Sequence, residues 1–247
     1  MGTFTGPNIV DDGLIFAIDA GSTRSYPGSG TTLGSVFNNA NTASLEGDTT
    51  VITAPGGYGK CFYFDGVGDY VDCGNDSSLQ ITGALTVSFW FKSGGGGGTG
   101  QAAVTKDTLS ERCWGIWTND YSAPLTNIAF SIWNSNVAYG VTSASDYNDG
   151  NWHNVVCIFN PSTYLRIYVD GILDGSNTTS IPATIDNDAA NVIIGGIVSG
   201  GSPIYEFNGN IDEVAIFNSA KAIGDLWNGT GQPTDLTGES GLVGYYR

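Results

Sequence analysis

At 247 residues, with 37 glycines, 12% aromatic residues and a formal charge of −16, the chain has the length of one large β domain. Its 8 Lys and Arg stand against 24 Asp and Glu and form no cluster, which excludes a phosphate backbone as partner, because that contact depends on cationic side chains. Abundant Gly, Thr, Val, Ile and Asn exclude long helices, and no apolar run is long enough to cross a membrane as a helix.

In chain order, MGTFTGPNIVDDG has no basic segment and no apolar core of a secretory signal, so the expectation is synthesis in a cytoplasm, with residues 1–12 as an N-terminal arm. A first strand is expected over Gly13–Ala20, followed by the irregular GSTRSYPGSGTTLGS. Residues 33–60 read as a polar covering excursion with one short strand at Thr49–Thr53. From Cys61 to Lys92, the apolar residues Phe62, Phe64, then Val71, then Leu85, Val87, Phe89 and Phe91 recur with period two, as in strands buried on one face. The Gly and Asp residues of FDGVGDY supply a turn, read as that of a hairpin. Cys61 and Cys73 lie symmetrically about Val67, so they form either a disulfide or two buried thiols. With no CxxC pair and a single histidine, His153, a structural zinc site is not expected.

Ser93–Gly100, SGGGGGTG, is a flexible loop and not a phosphate cradle, since no GK[ST] and no amphipathic helix follow. Strands are expected at Cys113–Thr118, Asn127–Trp133, Asn136–Ser143, Trp152–Phe159, Leu165–Val169, Asn191–Ile197 and Asn210–Phe217. Short strands separated by turn signals give an all-β fold, a two-sheet antiparallel sandwich with very little helix. After the polar stretch Gln232–Ser240 the chain reads GLVGYYR, echoing GLIFAID at Gly13. Residues 232–247 are therefore a linker with a terminal strand, which completes the sandwich, passes to a neighbouring subunit or opens a further module.

FDGVGDYVDCG with TVSFWFK, DGNWHNVVCIF leading into LRIYVDGILDG, and FNGNIDEVAIFNSA resemble, in that order, the laminin-G-like, concanavalin A-like jelly-roll domains over residues 13–231. That fold serves lectins, glycosidases, adhesion modules and scaffolds alike, so the resemblance implies architecture more than activity. PNIVDDGLIFAIDAGSTRSYPGSGTT is similar to the start of such modules in structural proteins of marine tailed bacteriophages. It implies a virion protein, with other virion proteins or copies of itself as partners.

Catalysis is not expected. The glycosidases of this fold set two carboxylates on one strand at about ExDxxE spacing, and no such motif is present; Glu46, Glu111, Glu206, Glu213 and Glu239 are isolated. His153 belongs to the scaffold in the resembling family. The resemblance also implies a structural Ca²⁺ near the termini, held in part by an aspartate on the last long strand, a position that Asp212 of GNIDEVAIF matches. Asp65 and Asp19 are its expected neighbours by layout, unless Asp65 and Asp212 only cap turns.

For a glycan, alternation in CWGIWT and NIAFSIW leaves Trp117 and Trp133 on one face, as a sugar platform or as residues covered by a partner. The sequons at Asn75, Asn177 and Asn228 are expected to go unused. The expectation is a non-enzymatic structural or decoration protein of a phage capsid or tail that contacts host glycans weakly; the alternative is an extracellular carbohydrate-binding adhesion module of a bacterial protein.

Overall fold

The structure, a computed structural model, describes residues 16–35, 42–56, 59–95, 100–119 and 127–247. The expected N-terminal arm and residues 96–99 of the Gly-rich run Ser93–Gly100 lie outside them. The first strands are β1 Phe16–Ile18, β2 Thr32–Gly34, β3 Thr42–Glu46, β4 Thr50–Thr53, β5 Lys60–Asp65, β6 Tyr70–Asp72 and β7 Leu85–Ser93. There follow β8 Gln101–Asp107, β9 Arg112–Asn119, β10 Asn127–Asn134, β11 Val137–Asp146, β12 Trp152–Asn160, β13 Tyr164–Val169 and β14 Ile172–Asn177. The last are β15 Ile193–Ile194, β16 Ile197–Ser199, β17 Ser202–Ile204, β18 Asn208–Phe217 and β19 Leu242–Tyr246. Helix is confined, among the described residues, to α1 Ile223–Leu226 and one 3₁₀ turn at Ser77–Leu79.

Two large sheets result. One runs β1-β19-β18-β7-β12-β13-β14, with β5 also on β18 and β4 on β5; the other runs β11-β10-β9-β8-β15-β6-β3-β2. All pairs are antiparallel except β1 with β19, which is parallel. This is the two-sheet jelly roll expected from the strand pattern. Three details differ. The stretch at 33–60 is no covering excursion, because β3 and β4 each enter a sheet, one in either layer. A strand at Gln101–Asp107 was not foreseen: it is buried along its whole length and carries no alternation to read.

The third concerns FDGVGDY, which is not a hairpin turn. β5 pairs with β4 and β18, whereas β6 pairs with β3 and β15, so the turn hands the chain from one sheet to the other. Cys61 and Cys73 thus sit in different layers, and all four cysteines are buried free thiols. Burial pushes Cys61 up to about 12 and raises Cys73, Cys113 and Cys157 as well, so none is a reactive thiolate.

Between the sheets lies the main core, in which Phe62, Phe64, Phe89, Phe91, Phe130 and Phe159 interdigitate. The period-two residues of β7 face it, and Thr86, Ser88, Trp90 and Lys92 take the opposite face. That outer face has a second, smaller core: Val156, Ile158, Ala215, Phe217 and Tyr245 of the sheet are covered by Leu226 and Leu236. The segment 218–241, of which Gln232–Ser240 reads as a polar linker, is therefore a strap across the nine-stranded sheet. It returns the chain to β19, which lies between β1 and β18 in the same sandwich.

Candidate functional site

Where the strap leaves the outer face it borders a two-part cleft. The narrow part, about 130 Å³, is formed by Trp90 of β7, Trp152 of β12, Asp212 of β18, and by Ala54, Gly56 and Pro233. The wider part, about 300 Å³, shares Pro233 and is lined by Asp19, Glu213, Asp235, Lys60 and Arg247. Pleating explains the narrow end: Asp212 is opposite Trp90, and Lys92 is opposite Trp152, so side chains of three adjacent strands emerge on one face.

The acids come from an irregularity. Between the pairs Asp212/Trp90 and Ala215/Ser88, β18 advances by three residues while β7 advances by two, a β-bulge. Glu213 is the extra residue and has φ +53°, a left-handed conformation uncommon for glutamate. The bulge turns Asp212 and Glu213, neighbours in sequence, toward the same cleft. Strain of this kind persists where the surroundings hold it, which is common at binding sites. Here the Glu213 N–H donates to Asp212 Oδ1 at 2.8 Å, the Tyr245 hydroxyl donates to Glu213 Oε2, and Arg247 Nε lies 3.9 Å from Glu213 Oε1.

Electrostatically the two ends differ. Asp212 is 4% exposed, and burial, with the nearby negative charges of Glu213 and Asp19, pushes its carboxyl up to about 8. Burial also raises Glu213, against the lowering effects of Tyr245 and Arg247. Trp90 is stacked on Trp227 of the strap at 5.7 Å, and Trp152 keeps its ring partly exposed while its N–H donates to Pro55 O at 2.9 Å. The Thr234 hydroxyl, in the wall of the wide part, is buried without a hydrogen-bond partner. Two indoles, a protonated carboxyl, and a wall of carboxylates with one guanidinium form a surface that can pack a ring or a cation and direct hydrogen bonds.

Trp117 and Trp133 are brought together on the outer face of the other sheet, edge to face at 6.1 Å. They do not form an open platform. Trp133 is 6% exposed and the Arg112 guanidinium covers its ring at 4.0 Å, held there by bonds to Asp107 at 2.9–3.3 Å. Trp90, Trp152 and Glu213 were missed by sequence reasoning; the only signal was that all three depart from strict apolar alternation.

Asp19, Asp65 and Asp212 do not converge on one ion. Asp65 is opposite Asn208, two pleats along β18 from Asp212, because β5 meets that strand near its start. Asp212, between indoles, also lacks the six to eight oxygens that Ca²⁺ takes. Asp65 instead joins Asp48 and Asp69, with one oxygen of each within 4.8 Å of the others. Asp69 is 1% exposed; burial raises its carboxyl, and its oxygens accept the N–H groups of Asp48 and Asp65 at 2.8 and 2.9 Å. Gly47, with φ +67°, lets the two loops close: a Cβ there would stand 2.4 Å from Gly68 O. These three carboxylates are the ones among the described residues whose oxygens stand close enough to share a cation.

His153 bridges two loops, its Nδ1 2.8 Å from Asp170 and its Nε2 3.1 Å from Asp149. These carboxylates raise it against the opposing effect of burial, and among the described residues its two ring nitrogens are both taken by them, which ties the two loops together.

Solved structures with the same fold include the binding domain of Paraclostridial mosquitocidal protein 1, at TM-score 0.61 and 12% identity, over 78% of this chain and 48% of that one. The binding domain of botulinum neurotoxin DC in complex with SialylT matches at 0.59 and 15%, over 78% and 47%. Domain 4 of the extracellular arabinanase AbnA of Geobacillus stearothermophilus, in complex with arabinotriose, matches at 0.58 and 16%, over 77% and 89%. The chain spans about half the length of the toxin domains it matches. No curated protein matches in sequence. Residues 65–222, more than half of the chain, match the family model described as the concanavalin A-like lectin/glucanases superfamily, and the chain belongs to that superfamily.

Proposed function

We propose that the protein is a non-catalytic carbohydrate-binding module whose ligand enters the cleft beneath the strap. The observation that carries this reading is the placing of the partly exposed Trp152 beside Asp212 and Glu213, with the 8% exposed Trp90 as the floor: a ring face for sugar C–H groups next to directed polar groups. Superfamily membership and the arabinotriose-bound and SialylT-bound neighbours support it. The absence of an ExDxxE strand and the raised pKa of every thiol support binding without turnover. A glycan array followed by calorimetry tests it. Trp152→Ala is expected to weaken binding at least tenfold, about 1.4 kcal/mol, while Trp117→Ala leaves it unchanged. Binding lost in Trp117→Ala and kept in Trp152→Ala would move the site to the Trp117/Trp133 face, the reading in which that pair is the platform.

A structural Ca²⁺ is assigned in this reading to Asp48, Asp65 and Asp69, where it would offset their mutual repulsion and would tie the β3–β4 turn to the sheet-switching turn. Saturating Ca²⁺ is expected to raise the melting temperature by roughly 5 °C over chelator, and Asp69→Asn to abolish the difference. An unchanged temperature overturns the assignment. The module's place on a phage particle rests on the likeness of Pro7–Thr32 to virion modules. Detection of the chain by immunogold electron microscopy on purified particles supports that placement, and recovery only outside particles favours the secreted adhesion module.

A further inference from the structure

We infer that the narrow end of the cleft recognises a cationic nitrogen, so that the glycan it selects carries a free amino group, as a deacetylated hexosamine residue does. The inference rests on the reading of the cleft as a glycan site.

Asp212 lacks a counter-ion. Its carboxylate accepts one hydrogen bond, from the Glu213 N–H, and takes part in none of the ion pairs among the described residues. None of the cations around it forms an ion pair with it among the described residues. Glu213 and Asp19 repel it, and Arg247, which attracts it, lies nearer Glu213. Lys60 donates to the Thr53 hydroxyl at 3.1 Å, and Lys92, opposite Asn210 and Trp152 on the same face, forms no ion pair there. A buried carboxylate without a partner is costly, and the protein meets that cost by keeping the proton on it.

The walls favour the same occupant. Indole faces attract ammonium groups by the ring quadrupole, and this attraction strengthens when the cation is desolvated. Trp90 and Trp152 flank Asp212 in a slot otherwise lined by Ala54, Gly56 and Pro233. An ammonium entering there would pair with Asp212, which would release its proton to solvent; a neutral hydroxyl or an N-acetyl group would leave the acid protonated and gain only a hydrogen bond. A uronic or sialic acid would gain no partner from the protonated Asp212 and would meet Glu213, Asp19 and Asp235 against Lys60 and Arg247 in the wide part. The charge of −16 over the chain adds a long-range pull on cations.

The test measures the full chain at pH 6.5 by calorimetry against glucosamine, N-acetylglucosamine and neutral hexose oligomers of equal length, with tetramethylammonium as a competitor. The expected result is at least tenfold tighter binding of the glucosamine oligomer, competition by tetramethylammonium, and proton release seen as a dependence of the heat on buffer. Asp212→Asn, isosteric and still able to accept the Glu213 N–H, is expected to remove the preference, and Glu111→Gln, in the turn between β8 and β9 of the other sheet, to leave it. Proton release in the unaltered protein gives a measurement that does not depend on any variant folding. Equal, Trp152-dependent binding of all three oligomers overturns the amine inference and leaves the glycan site standing. Competition between tetramethylammonium and a second small cation such as choline, with no oligomer bound, overturns the glycan reading and leaves the cation slot. No binding of any probe overturns both.

Discussion

Lys106→Ala is expected to lower the unfolding free energy by about 3–5 kcal/mol and the melting temperature by roughly 10 °C. Lys106 is 1% exposed, and its ammonium is held by Asn75 Oδ1 at 2.7 Å, Ala190 O at 2.6 Å and Asp188 O at 3.1 Å. Burial lowers its pKa, while Cys113, Asp188 and Glu111 oppose that shift. No carboxylate forms an ion pair with it among the described residues, so three oxygens from two loops replace its water. The same loops close one end of the sandwich: Asp188 N donates to Cys113 Sγ at 3.2 Å, and Asp186 accepts the Ser135 and Asn136 N–H groups at 2.9 and 3.1 Å. Truncation to alanine removes the stem from a packed space and leaves all three oxygens without a donor. Lys106→Met keeps most of the volume and isolates the second effect, so a loss of about 2 kcal/mol is expected there. Urea unfolding of the three proteins measures both numbers. A methionine variant as stable as the parent would mean that the loops are held by packing alone.

How far this architecture can be read from residues depends on which interaction decides each feature. Leu85, Val87, Phe89 and Phe91 announce their inner face because one-sided burial imposes a period of two. Trp117 and Trp133 could be placed in contact for the same reason, since alternation fixes faces and short turns fix neighbours. The partner of a strand is not written in its own pattern. FDGVGDY has the Gly and Asp content of a hairpin turn, and whether the strands on either side pair or part is decided by β18 and β15, more than a hundred residues away. The bulge at Glu213 is invisible in GNIDEVAIF for a related reason: a bulge exists only relative to the count along the facing strand. The strap was hidden by economy of means. Leu226 and Leu236, with Ile223 and Trp227, seat it on the outer face, and the polar residues Gln232–Ser240 read as a linker. Fold class was thus legible, whereas the cleft, made where strap, bulge and two tryptophans meet, was not.

The last expectation concerns pH. The stability of the parent protein relative to Asp212→Asn is expected to fall as pH rises from about 4 to about 8. The sign follows from proton counting: unfolded, Asp212 has an ordinary carboxyl pKa near 3.9, whereas folded it stands at about 8, so across that window the native state holds one more proton. The favourable contribution is complete below about pH 4 and is lost as pH climbs through the folded value. At about 1.4 kcal/mol per unit, the full window is on the order of 6 kcal/mol. Carboxyls shifted the other way do not mask it. Asp149, held at about 2 by bonds from Asn151 and His153 against burial, and Asp76, lowered by the Ser78 N–H, change protonation at lower pH. Glu213, raised in both proteins, largely cancels in the difference. Urea unfolding of parent and variant at pH 4, 6 and 8 measures the slope, and parallel profiles would show that Asp212 is ionised in its slot. Repeating the series with a saturating glucosamine oligomer separates burial from ligand: an ammonium paired with Asp212 supplies the missing charge, so the slope between pH 4 and 8 is expected to flatten in the complex, which a neutral sugar cannot do.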